Sequence, residues 1–574
     1  MRKIYYLIFT ISILAIASSC NFMDYNNETD MTDDYVKSRV DYAGSLATAV
    51  YGCIPSGYSA LGGGMYADAT DDAENSNDLN NVQKFNNSTW NQYSNPDDKW
   101  GSYYSYIQKA YLYFEKNKDL QQLNYDENRW SDPTDYFVNK WNIYFYDAEV
   151  SFLRALCYFE LMKRYGEIPI INKYNEVNDE ITAERQPISK VIETISKDLR
   201  FAASKLFESW NVMIDYDGNI TNATSGGVID LKGRTGRPTK GACYALLSKA
   251  FLYAGSPLFN NGQYNAEYCD SAAYYAAKVL DMNIYQLEAN YQDLYKTGRY
   301  YSKELIFERR NSSSNSFEKA NYPISIDRGA GSSSSGCTCP SQNLADEFEM
   351  IDGSKFDWNN PEHSSNPFKN RDPRFNATFV CNGETFAGHI VESWDDGADG
   401  KNVQYGTKTG YYLKKYIDAN LNLREDVKSQ HLWYLMRLAD LKLIFAEAAN
   451  EVTGPNNSLY GYKAIEQLND VRNRVKMPKK AAADKDEFRT LLRHERRVEL
   501  AFEDSRYWDV RRWNIGEETF SKDLMGLEII PKESGGFTYR PKIVESRTFE
   551  NYMNLYPIPQ SEIIITGFKQ NPGW

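Results

Sequence analysis

Histidine is almost absent from this chain. There are four in 574 residues, His363, His389, His431 and His494, too far apart for an HExxH or HxH pattern, so nothing points to a zinc hydrolase. A Gly-x-Ser-x-Gly elbow is also missing. The stretch Gly233 to Gly241 lacks the spacing and the preceding strand of a phosphate loop, and reads as a turn entering a helix capped by Thr239. Positive charge is short as well: the formal net charge is −13, and loss of Arg2 and Lys3 with a leader takes it to −15. That excludes nucleic acid or an anionic lipid surface as the main partner. Cysteine is sparse, eight residues with seven after Cys20, which excludes a disulfide scaffold and leaves an odd thiol within one chain. Cys157 and Cys243 fall in apolar helical patterns and read as buried thiols. Cys337 and Cys339 lie in a Ser/Gly-rich loop, in no zinc spacing, with Cys381 or Cys53 as alternative disulfide partners.

The N-terminus is informative. Arg2 and Lys3, an apolar run from Tyr5 to Ile16, and Ala17-Ser-Ser leading into Cys20 make a signal peptide with a lipobox-like end. The run is too short to span a bilayer, and no later stretch is apolar for long enough to do so. The mature protein is expected to begin at an acylated Cys20, whose two or more chains would make a stable lipid anchor. The blander reading is an ordinary secretory signal with a chance cysteine.

Residues 1–19 thus read as leader and 20–34, polar and Asn/Asp-rich, as a tether. An N-terminal helical region follows over 35–284, broken by a loop region at about 55–100 of the kind that carries function. A C-terminal region over 285–574 begins with an irregular insert to about 430 and closes with helices. Helical periodicity is strong at Phe145, Ala148, Phe152, Leu156 and Phe159, at Ile188 to Leu206, from Thr239 to Ala254, and over Ala272 to Leu280. It returns over Leu435 to Asn450, Tyr460 to Val475 and Phe488 to Glu503. The fold class is therefore mainly α, a tetratricopeptide-like scaffold of helical pairs with a loop-rich second region, although no clean 34-residue repeat is present.

Aromatic residues are abundant: 45 Tyr, 27 Phe and 11 Trp make 14% of the chain. Most are expected between helices. Those left over suit a sugar, whose C–H faces stack on rings. In the loop region, Asp68, Asp71, Asp72 and Glu74 stand near Trp90, Tyr93 and Trp100, so Asp68, Asp71, Asp72, Trp90, Tyr93 and Trp100 are the candidate ligand residues. Carboxylates there would accept from sugar hydroxyls; the same cluster also reads as a solvated loop or a calcium site. Glycosidase carboxylates generally come from separate segments, so a local cluster is weak evidence for catalysis, and no catalytic residue or other cofactor is nominated. The run Glu495 to Trp513 sets Glu495, Glu499 and Glu503 four apart. These would repel unless Arg496, Arg497, Arg506, Arg511 and Arg512 sit between them, so the run reads as a buried ion-pair lattice.

Phe152 to Pro169, Gly236 to Cys243, Arg371-Asp-Pro-Arg-Phe375, Glu495 to Trp513, Tyr556 to Glu562 and Asn571 to Trp574 together resemble the RagB/SusD family of outer-membrane nutrient-binding lipoproteins. The resemblance runs over essentially the whole mature chain. It implies tetratricopeptide-like helix pairs carrying ligand loops, and a non-catalytic role: capture of an oligosaccharide at the outer face of the outer membrane and delivery to a TonB-dependent, SusC-like transporter. The matched motifs are scaffold motifs, so no ligand residue carries over. A lipid-anchored glycoside hydrolase and a protein-binding assembly lipoprotein are the alternatives.

Overall fold

Helices form where apolar periodicity meets a cap. In the computed structural model, which describes residues 40–117, 132–175, 184–224, 226–327, 329 and 336–574, Pro133 and the Asp132 carboxylate, accepting from the Asp135 amide, start a 33-residue helix ending at Gly166 (φ +74°). Thr239 caps the next predicted start by accepting from Ala242 N, and Asn265 and Asp484 cap two others in the same way. The leader, Cys20 and the tether lie outside the described residues.

The helices are α1 (Val40–Val50), α2 (Trp100–Asn117), α3 (Pro133–Tyr165), α4 (Ile188–Lys205), α5 (Lys240–Ala254), α6 (Ala266–Leu280), α7 (Leu438–Thr453), α8 (Ala464–Arg474), α9 (Lys485–Glu499) and α10 (Ser505–Arg512). α1 packs on α2 and α3, and from α3 each helix packs on the next as far as α7, which holds α8 and α9. Neighbour-on-neighbour burial of this kind is how a helical array builds one continuous core. The protein is mainly α.

Four predicted boundaries move: the helix expected from Ala272 begins six residues earlier, at Ala266 after the Asn265 cap, the one expected from Tyr460 begins at Ala464 after a short hairpin, and two others shift for local reasons. The helix expected from Leu435 begins at Leu438, because Leu432–Arg437 is a strand paired antiparallel with Leu305–Arg310. The helix expected to reach Glu503 stops at Glu499, and Phe502 and Asp504 both turn left-handed (φ +62°) before α10. The remaining strands are short, apart from one closing hairpin. Ala73–Asn75 of the loop region pairs with Thr338–Pro340 of the insert, and Leu524–Pro531 forms a hairpin with Phe537–Glu545.

The ion-pair lattice is present, built from other arginines than those expected. Glu495 binds Arg374 (2.5 Å) and Arg472 (2.8 Å), Glu499 binds Arg374 (2.9 Å), Arg437 (2.7 Å) and Arg474 (2.5 Å), and Glu503 binds Arg437 (2.7 Å) and Lys415 (2.8 Å). The arginines within the run look elsewhere: Arg496 to Asp440 and Asp509, Arg512 to Glu447 and Asp509, Arg497 and Arg506 to the loop region. Residues on one helix face cannot turn back between their own neighbours, so partners come from the elements packed against that face. Burial pushes the Glu499 carboxyl up, but Arg474, Arg437 and Arg374 together hold it well below the usual range.

All seven cysteines of the described residues are buried. Cys337 faces Cys339, Sγ to Sγ 3.5 Å, rather than Cys381 or Cys53.

Candidate ligand-binding site

The loop region is tied down by the charges that made it look like a site. Arg497 reaches Asp72 at 2.8 Å and Asp71 at 2.9 Å, Arg506 reaches Asp71 at 2.8 Å, and Arg547 pairs with Glu74. For Asp71, burial raises the pKa but Arg497 and Arg506 outweigh it, leaving the carboxylate firmly ionised. Asp68 is enclosed and its Oδ2 accepts from Asn75 Nδ2 (3.0 Å) and Thr338 Oγ1 (3.2 Å); burial lifts its pKa to about 7. Guanidinium groups already hold Asp71, Asp72 and Glu74, so these residues do not fit a calcium ion. Among the described residues no three His, Cys, Asp or Glu side chains gather as a metal site.

Nor do the two tryptophans offer a face to a sugar. Trp90 is 2% exposed and packs edge-on against Trp574 (4.5 Å), Phe85 (4.8 Å) and Tyr556 (5.2 Å). Trp100 is 3% exposed, against Tyr165 and Tyr104. A loop carrying this many rings satisfies its own core first, which is why composition alone misplaced them. Tyr93 is 76% exposed, as a free platform would be. The structure therefore brings Asp68, Asp71 and Asp72 together as anchors, not as ligand donors, and leaves Tyr93 apart from them.

The beginning of the same loop region does border open space. A hollow of about 520 Å³ lies between residues 56–63 and residues 311–320, with His431 at its side. The strand pair Leu305–Arg310 and Leu432–Arg437 ends here in matched positions, Leu432 opposite Arg310, and the ladder continues through Asn311 N to His431 O (3.1 Å) and the Ser314–Ser429 bridge. A short helix, Ser316–Asn321, then turns the wall. Opposite, Tyr58 packs its ring against Phe317 (4.7 Å), Trp433 (5.1 Å) and His431 (5.4 Å) while its hydroxyl donates to Leu432 O. Gly57 makes that approach workable: at φ +80° a Cβ would stand 1.9 Å from the Trp433 ring.

The lining is dominated by uncharged donors and acceptors, Ser56, Ser59, Asn311, Ser312, Ser314 and Ser316 among them, with Tyr58 and Phe317 as aromatic surface. Asn311 Nδ2 is enclosed and has no hydrogen-bond partner, a donor left for a ligand to satisfy. His431 Nε2 lies 2.6 Å from Glu318 Oε1 and 3.1 Å from Ser429 Oγ. Because acid and hydroxyl share one ring nitrogen, these three do not form a serine–histidine–acid relay, which uses both nitrogens. The arrangement can bind hydroxyl-rich molecules; it presents no nucleophile activated by a base.

Two aromatic positions escaped sequence reasoning. Tyr301 is 80% exposed beside a second hollow of about 410 Å³, and Tyr300 stands edge-on to it with the Arg310 guanidinium 5.3 Å from its ring. The signal was adjacency, Tyr300-Tyr301 in a polar stretch with no helical period to bury both.

Comparison with known proteins agrees with this architecture. Residues 303–574 match the model of the SusD family, and residues 21–219 match a model described as "starch-binding associating with outer membrane". A SusD-like protein of Bacteroides ovatus is 23% identical over 376 residues, 64% of this chain and 58% of that protein. The chain spans less than two thirds of the length of the curated relatives it matches. Among solved structures, a SusD-like protein from Bacteroides fragilis superposes with a TM-score of 0.76 at 25% identity, covering 95% of this chain and 99% of that one. A laminarin-binding SusD-like protein superposes with a TM-score of 0.59 at 22% identity, covering 93% and 99%. With two models of one family taking in most of the sequence and the fold matched from end to end, this chain belongs to the SusD/RagB family.

Proposed function

We propose that the protein is a cell-surface glycan-binding lipoprotein, anchored through Cys20 in the outer membrane, which captures a neutral oligosaccharide and passes it to a TonB-dependent, SusC-like transporter without cleaving it. The observation that carries this reading is the hollow beside Tyr58. It is lined by hydroxyls, amides and aromatic edges, and it holds an unsatisfied Asn311 donor on a scaffold of this family. Support also comes from relatives whose own descriptions name carbohydrate or laminarin binding. No helix among the described residues is long and apolar enough to cross a membrane, which is compatible with attachment by acyl chains.

Calorimetry against a panel of neutral oligosaccharides is expected to show binding with no product formed, weakened by Asn311→Ala. Hydrolysis products in the cell, or no binding by any glycan, would overturn the reading. Cys20→Ser is expected to release the protein from membranes with glycan affinity intact, and a large β-barrel protein is expected to co-purify with the acylated form.

A further inference from the structure

On the other side of residues 56–60 from this hollow lies a second cavity, of about 300 Å³. It opens past the exposed Ser56, Ser59 and Ser102, and its inner wall is built by α3, the paired strands at Leu305–Arg310 and Leu432–Arg437, and the start of α10. Most charged groups around it are matched. Lys163 pairs with Glu160 (2.7 Å), Arg164 with Asp97 (2.9 Å), Lys249 with Asp440 (3.1 Å) and Glu503 with Arg437 (2.7 Å), while Lys99 stands 3.8 Å from Asp97.

Two are not matched. The Arg309 guanidinium donates to the Ile54 carbonyl and makes no ion pair among the described residues. The Asp504 carboxyl has an enclosed Oδ1 with no hydrogen-bond partner, on a residue held at φ +62°. An unpaired cation and an orphaned carboxyl thus line the same cavity without bonding to each other, and a buried polar group left unsatisfied calls for an explanation. Asp504 lines the cavity on a left-handed backbone, a conformation that costs energy for a residue with a side chain.

We propose that this cavity binds the carboxylate end of a small ligand, with Arg309 pairing with the carboxylate and the protonated Asp504 carboxyl donating a hydrogen bond to it. Burial lifts the Asp504 pKa to about 8; Lys163 and Arg164 pull it down, Glu160 and Asp97 push it up. At neutral pH the group is therefore a donor. The volume, at the lower end for small-molecule sites, has room for one sugar acid or a dipeptide. Trp508 and Trp433 supply the apolar wall such a ligand would rest on. The inference stands apart from the neutral-glycan hollow and does not depend on it.

Calorimetry on the mature chain with methyl glucuronide, methyl glucoside and glycylglycine tests it. One or both carboxylates are expected to bind, and methyl glucoside at least about tenfold more weakly, the loss of one charge-assisted contact. A preference for the glucuronide assigns the site to sugar acids and a preference for glycylglycine assigns it to peptide ends; each supports a carboxylate site. Affinity is expected to fall as pH rises through 8, since Asp504 then becomes a like charge; Lys163, lowered by burial to about 8, loses its proton over the same range and adds to the fall. Asp504→Gly, which suits a left-handed backbone, and Arg309→Gln are each expected to cost about tenfold in carboxylate affinity with the melting temperature kept, and Asp504→Gly to flatten the pH dependence. Equal binding of methyl glucoside and glucuronide, no carboxylate binding at millimolar concentration, or unchanged carboxylate affinity in Asp504→Gly would each overturn the proposal.

Discussion

Arg437 Nη1 lies 2.7 Å from Glu499 Oε1, and the two side chains are 1% and 0% exposed. They join the strand before α7 to the end of α9, and removing the Glu499 charge leaves three buried arginines, Arg374, Arg437 and Arg474, short of a counter-charge. Glu499→Gln is expected to cost about 3–5 kcal/mol of stability, the usual scale for breaking a buried pair, measured by urea unfolding. Ligand affinity in the fraction that remains folded should not change.

Other buried ion pairs set the acid limit. Glu447 and Glu160 are pushed up by burial but pulled down to about 2, by Arg512 and Arg496 in one case and by Lys163 and Arg164 in the other. A depressed carboxylate contributes stability above its unfolded pKa of about 4.3 and loses it as pH falls through its folded value. Thermal melts are expected to drop steeply between about pH 4 and pH 2.

Asp68 acts in the opposite sense. With a folded pKa of about 7, raised by burial, it stabilises fully below its unfolded value and loses that contribution as pH rises through 7. Asp68→Asn is expected to raise stability at pH 8 relative to pH 5, read as a flatter melting temperature across that range.

Trp90 and Tyr93 make a paired test of where the rings work. Trp90→Ala is expected to cost about 3–5 kcal/mol by opening a cavity among Phe85, Tyr556 and Trp574, while Tyr93→Ala is expected to stay within about 0.5 kcal/mol in the same unfolding assay.

Gly57→Ala probes the wall shared by both hollows. A side chain there meets the Trp433 ring and a backbone at φ +80°. The expected result is a loss of glycan affinity with the helical core intact, seen as reduced calorimetric binding beside an unchanged far-UV spectrum.

The helices were legible because their signals are local: a cap at Thr239, apolar spacing along α3 and α4, and a run of glutamates that only buried cations could tolerate. Their partners were not. Arg374, Arg437, Arg472 and Arg474 lie on separate elements, and nothing in the spacing of Glu495, Glu499 and Glu503 says which arginine will arrive. The loop region was found in outline, and its side chains were misread for the same reason. Its acids and tryptophans look like a site until Arg497, Arg506 and Arg547 come in from more than four hundred residues away. The open hollow was hidden in serines and asparagines, residues common to any loop.

That long reach bears on the order in which the molecule is assembled. Arg547 supports Glu74 and the carbonyls of Thr70 and Ala73, Asn571 caps the carbonyl of Tyr165, and the Trp574 ring closes over Trp90. A chain synthesised from its N-terminus delivers these clasps last. Until they arrive the early loop region holds unpaired acids and bare indoles, and contacts of such long sequence separation slow folding and favour aggregation.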